Sequence, residues 1–130
     1  MVNHHLIEIN DTTWETLVEK ATKPVIIMFY SPTCPYCAQI KPYFEKYSSE
    51  FHEKVLFARI DIAQNPLTAG RYAIMGVPTF KFFCHGKSVS ELTGSVYPPL
   101  LKKTIEDGLK YGKDCEKNTT WIDSSITGYQ

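Results

Sequence analysis

The run from Val25 to Tyr30, VIIMFY, is apolar at every position. A strand with one face in water alternates polar and apolar residues. An unbroken apolar run of this length instead suits a strand covered on both faces. The chain must therefore supply a layer for each side of a sheet. At 130 residues, 43% of them apolar and 22% charged, it has one-domain length and enough apolar material for a core.

The flanking patterns supply those layers. Leu6 to Ile9 reads as a short strand. Thr12 and Glu15 have the spacing of a capping box, and Trp14, Leu17, Val18 and Ala21 then mark one face of a helix that ends at Lys23-Pro24. A second helix is predicted from Cys34 to Ser49, with Ile40 and Phe44 on its inner face and Pro42 in its interior. Val55 to Ile62 is the next strand, and Asn65-Pro66 starts a short helix that ends near Tyr72, with Asn65 as its cap. Thr79–Cys84 and Ser88–Leu92 flank His85-Gly86-Lys87 as a hairpin. After Gly94, Pro98-Pro99 opens a last helix with Leu101, Thr104, Ile105, Gly108 and Leu109 on its inner stripe. Strands alternating with helices predict an α/β fold, and the closing hairpin makes its sheet mixed.

Beyond Tyr111-Gly112 the sequence turns polar, so residues 1–111 read as the domain and 112–130 as a mobile tail. That tail holds Cys115, the sequon Asn118-Thr119-Thr120, and Trp121, Ile122 and Ile126, which could dock on the domain. Fourteen basic and fourteen acidic residues cancel, which removes the overall electrostatic reason to bind nucleic acid or anionic lipid. No apolar run is long enough to span a membrane. The start, MVNHHLIEINDTTW, lacks the basic-then-apolar pattern of a secretory signal. The expected compartment is the cytoplasm, where structural disulfides are uncommon.

Cys34 and Cys37 stand two residues apart where the buried strand gives way to a helix. Unpaired backbone N–H groups and the helix dipole favour negative charge at that point. Cys34 should therefore ionise more readily than a free thiol, and the thiolate is the form that attacks disulfides. Cys37, one turn on, is placed to attack a mixed disulfide formed on Cys34. A structural zinc site would need four ligands where this pair supplies two. Cys84, Cys115, His4, His5, His52 and His85 form no second closely spaced pair. A purely structural disulfide across so short a loop would remove little chain entropy. Cys84, at a strand end, reads as a buried residue, and Cys115 as an accidental exposed thiol. Downstream, Val77-Pro78 directly precedes a strand. A cis bond there would make a tight turn and face Val77 outward to pair with an extended peptide.

These features together resemble the thioredoxin family from about residue 5 to 111: the strand Val25–Tyr30, Cys34-Pro35-Tyr36-Cys37, Pro42 in the following helix, Asn65-Pro66, Gly76-Val77-Pro78-Thr79, and Gly94 after the last strand. The resemblance implies a five-stranded mixed sheet of order 1-3-2-4-5 flanked by four helices. It implies Cys34 as exposed nucleophile, Cys37 as buried resolving thiol, and a cis Pro78 beside them. It also implies a substrate groove formed by Thr33, Pro35, Tyr36, Val77, Pro78 and Gly94. The activity implied is reduction of protein disulfides by a monomer with no bound cofactor, the Cys34–Cys37 pair itself being the redox centre. Its electrons would come from a flavin- or ferredoxin-linked disulfide reductase and pass to disulfide-containing target proteins.

Three positions depart from the family. Thr33 stands where thioredoxins usually carry Trp, and Met28 where they bury an Asp that helps move the resolving thiol's proton. Pro35-Tyr36 resembles the glutaredoxin motif, which predicts a potential above the roughly −270 mV of thioredoxins. Arg59 stands at the position of a thioredoxin lysine and could add positive potential. Glutathione-dependent reduction or iron–sulfur carriage is the first alternative. However, no acidic residue follows Leu92-Thr93-Gly94-Ser95 to receive the amino group of glutathione. A non-catalytic peptide-binding module is the second.

Overall fold

In the computed structural model the apolar run forms β2 (Val25–Tyr30), and all six of its residues are buried. The structure describes residues 5–94 and 96–117, with side chains described through residue 110. Around β2 lie β1 (Leu6–Ile9), β3 (Leu56–Asp61), β4 (Thr79–Cys84) and β5 (Lys87–Thr93). Their order is β1-β3-β2-β4-β5, the mixed sheet implied by the family resemblance. β1 and β2 run parallel to β3, whereas β4 is antiparallel to both β2 and β5.

Alternation along β2 builds two cores. Ile26, Met28 and Tyr30 join Ile40, Phe44, Phe57, Phe80, Leu101 and Ile105 on one face. Val25, Ile27 and Phe29 join Trp14, Val18, Ala58, Ile60 and Phe83 on the other. The first face is covered by α2 (Pro35–Phe51) and α4 (Pro98–Lys117), and the second by α1 (Glu15–Glu19) and by Tyr72 and Ile74, which follow α3 (Pro66–Arg71). Gly108 brings α4 close to the sheet, since a Cβ there would overlap the ring of Phe82.

Several local expectations are corrected by partners distant in sequence or by competing bonds. The segment after β1 forms a single wide π-type turn, closed by Lys20 N–H donating to Glu15 O at 2.9 Å. The Thr12–Glu15 capping box does not form. Asn10 and Thr13 exchange side-chain bonds instead: Asn10 Oδ1 accepts from Thr12 and Thr13 N–H, and Thr13 Oγ1 accepts from Asn10 N–H. Asn65 does not cap α3 with its side chain. Asp11, 57 residues before Thr68, accepts from Thr68 N–H at 2.9 Å and from Leu67 N–H at 3.3 Å. Asn65 holds Asp11 in place by accepting its N–H at 2.8 Å.

The hairpin turns in two residues, with His85 and Gly86 both at positive φ, so β5 starts at Lys87. α4 continues to Lys117, beyond Tyr111-Gly112, because its Lys and Glu residues sustain a helix after the apolar stripe has ended. Residues 118–130, with the sequon, Trp121, Ile122 and Ile126, lie outside the described residues, as does the side chain of Cys115.

Candidate functional site

The parallel strand β2 delivers the chain to the N-terminus of α2, and Cys34 is the N-cap of that helix. Its backbone is extended (φ −87°, ψ 116°), and Pro35 takes the first helical position, where a missing N–H costs nothing. The Cys37 N–H donates to Cys34 Sγ at 3.2 Å. The sulfur therefore sits at the N-terminus of a helix of 17 residues and accepts from an amide of its first turn.

Cys37 lies in a different environment one turn on. It is 4% exposed, against the half-buried Cys34. Burial, and then its hydrogen bond with Cys34, push the Cys37 thiol up to about 12. Both cysteines are free thiols. One is half-buried with a donor amide, and the other is buried and protonated. Cys84 offers no thiol to the site, because it is buried and disulfide-bonded.

The opposite wall comes from the loop before β4. The Val77–Pro78 peptide is cis. The Cys34 thiol lies 3.7 Å from Val77 O, its acceptor. Gly94 N–H donates to Pro78 O at 2.8 Å, which joins the end of β5 to the same loop. Cys34, Cys37, Val77, Pro78 and Gly94 thus meet at one end of the sheet. Thr33, Pro35 and Tyr36 are exposed around them, and the Thr33 hydroxyl lies 3.1 Å from that of Ser31.

Behind the cysteines is a cavity of about 170 Å³, lined by Met28, Tyr30, Lys41 and Arg59 among others. Met28 leaves no carboxylate on β2 at this place. Register sets Glu8, Arg59 and Met28 in one row across β1, β3 and β2. Arg59 Nε donates to Glu8 Oε1 at 2.6 Å, and its guanidinium lies 4.5 Å from the centre of the Tyr30 ring. Tyr30 Oη donates to Glu8 Oε2 at 2.6 Å. Burial, then the bond to Glu8, hold the Tyr30 phenol well above its ordinary value. The positive charge expected of Arg59 therefore lines the cavity, already paired with Glu8. Sequence reasoning missed Glu8 and Tyr30, whose meeting depends on cross-strand register.

Among the described residues, no group of three or more His, Cys, Asp or Glu side chains is placed to hold a metal ion. None of their helices is long and apolar enough to cross a membrane.

Comparison with known proteins agrees with this geometry. The thioredoxin family model matches residues 5–107, and the chain belongs to the thioredoxin family. It is 33% identical over 104 residues to a thioredoxin of Acidithiobacillus ferridurans, covering 80% of this chain and 96% of that protein. It is 31% identical over 102 residues to the chloroplastic M-type thioredoxin of Brassica napus, covering 78% of this chain. The match spans only 58% of that plant protein's length. The crystal structure of the Malassezia sympodialis thioredoxin superimposes with a TM-score of 0.76 at 27% identity, covering 84% of this chain and 95% of that one.

Proposed function

We propose that the protein is a thiol–disulfide oxidoreductase that reduces disulfides in other proteins. The observation that carries this reading is the unequal pair: Cys34 Sγ under an amide at 3.2 Å and Cys37 buried behind it. The Cys34 thiolate attacks one sulfur of a target disulfide. A Cys34–target bond forms, the target S–S bond breaks, and the second target sulfur leaves as a thiolate. Cys37 then loses its proton and attacks Cys34 Sγ. The Cys34–Cys37 disulfide forms, the other target sulfur leaves, and two electrons have passed to the target. The half-buried backbone of Val77 beside Cys34 is suited to hold an extended target chain during attack.

No cofactor is needed for this cycle beyond the cysteine pair. A flavin- or ferredoxin-linked disulfide reductase would return the pair to its dithiol form, and the chain would act as a monomer. A reducing role suits the cytoplasm. The disulfide at Cys84 departs from that setting, where structural disulfides are uncommon. With Met28 in place of a carboxylate, the Cys37 proton leaves to water in the cavity lined by Met28 and Tyr30 or to the departing target sulfur.

The test is trapping. Cys37→Ser should strand covalent mixed disulfides with target proteins, releasable by dithiothreitol, while Cys34→Ser should strand none. Equal capture by both variants would remove the assigned roles.

A further inference from the structure

Tyr36, Tyr43 and Tyr97 are among the large apolar side chains left exposed, at 52%, 46% and 79%. All three line one groove of about 410 Å³ between α2 and the segment entering α4. That volume is within the roughly 300–1,000 Å³ of ligand-sized pockets. Ile40 and Pro98 also line it, and Gln39 adds an amide. Among the described residues, no charged side chain lines it. Tyr36 stands between the two cysteines in the sequence, so one wall of the groove comes from the first turn of the helix that Cys34 caps.

Its walls are held before any ligand arrives. Tyr47 Oη donates to Pro98 O at 3.1 Å, and Lys102 pairs with Glu50 at 3.7 Å, both linking α2 to α4. The N–H groups of Leu100 and Leu101 donate to Tyr97 O at 3.0 and 3.1 Å. An aromatic trough on a held backbone binds with little ordering cost, because tyrosine gives a large apolar area with few rotors.

We infer that this trough seats the segment flanking the attacked cysteine of a target protein, and that it selects an extended, uncharged segment bearing aromatic or proline side chains. The inference rests on the exchange reading above. A target bonded to Cys34 must lay neighbouring residues beside Tyr36, and flat rings stack on tyrosine faces. A charged segment would lose hydration there without meeting a counter-charge. Glutathione, with two carboxylates and an ammonium, meets the same obstacle. The chain's formal net charge of zero gives no long-range preference that could mimic this selection.

The test uses the full chain and three disulfides: a cyclic disulfide peptide flanked by Trp and Pro, the same peptide flanked by Asp and Glu, and oxidised mercaptoethanol. The wild type should favour the aromatic peptide in kcat/KM by about tenfold. The double variant Tyr43→Ala/Tyr97→Ala should lose that preference and keep its rate on oxidised mercaptoethanol. Tyr43→Phe/Tyr97→Phe, which keeps the rings, should keep the preference. Equal turnover of both peptides by the wild type, or an unchanged preference in the Ala variant, would overturn the assignment. So would a matching loss on oxidised mercaptoethanol, which would mean that the rings act through the cysteine pair. A wild-type dimer that the Ala substitutions dissociate would give the trough to a second copy instead. Failure of the wild type on all three substrates would remove the exchange reading itself.

Discussion

Val25, Ile27 and Phe29 send one face of β2 into a core with Trp14 and Phe83, whereas Ile26, Met28 and Tyr30 send the other into a core that contains Cys37. The rear core is an aromatic cluster. Trp14 lies 5.9 Å from Phe29, 5.3 Å from Tyr72 and 5.4 Å from Phe83, and its Nε1 donates to Tyr72 Oη at 3.3 Å. The front core is as tightly buried, yet it places a thiol, a cavity and the Glu8–Arg59–Tyr30 cluster near one end of the sheet. One strand therefore serves both stability and chemistry by the parity of its residues. What separates the two faces is the thiol pair that the front carries where β2 gives way to α2.

That contrast can be broken most sharply at the cysteines. With iodoacetamide at neutral pH, Cys34 should be alkylated at least about a hundredfold faster than Cys37 measured in a Cys34→Ser variant. The Cys37 rate should climb about tenfold per pH unit above neutrality, because burial, the largest cause of its raised pKa, persists in that variant. Comparable rates at pH 7, read by mass spectrometry, would erase the asymmetry. Next in size is Trp14→Ala, which empties the rear core. It should cost about 3–5 kcal/mol by denaturant unfolding and leave the Cys34 alkylation rate of the folded protein unchanged. A slower Cys34 would show that the two faces are coupled.

Gly108→Ala probes the front face away from the cysteines. The added methyl meets the buried Phe82 ring, so a loss of about 1–3 kcal/mol is expected in the same unfolding assay. The smallest effect belongs to the rear-face pair Lys81–Glu91, at 2.6 Å with the Glu91 side chain half-exposed. The bond to Lys81 is the main reason that the Glu91 carboxyl is held below its ordinary value. A depressed carboxyl pKa stabilises the fold above its unfolded value and stops doing so as pH falls through the folded one. Lys81→Met should therefore cost no more than about 1 kcal/mol at pH 7, the deficit shrinking below about pH 4 as Glu91 takes up a proton. A deficit that stays constant down to pH 3 would assign it to packing of the lysine stem.

Much of the fold was legible because its signals are local. An apolar run names a buried strand, Pro at a first helical position names a start, and Cys-x-x-Cys at a strand–helix junction names two thiols one helical turn apart. The ends of elements were less legible. α3 shows why, since its capping acceptor is Asp11 rather than Asn65. No window around residue 65 contains that information. At the site, Cys34, Cys37, Val77 and Pro78 could be named in advance, but the trough of Tyr36, Tyr43 and Tyr97 could not, because Tyr97 reaches it only through the packing of α4.

By itself the sequence determined which thiol caps a helix and which lies one turn inside, since three-residue spacing and a following proline settle that along the chain. Tertiary structure alone decided what surrounds the pair: the Val77 carbonyl across from Cys34, the guanidinium of Arg59 already paired with Glu8, and the uncharged trough beside Tyr36. The physical reason is range. Backbone geometry and helix polarity act over a turn, whereas burial, register and charge pairing depend on segments that meet only when the sheet has formed.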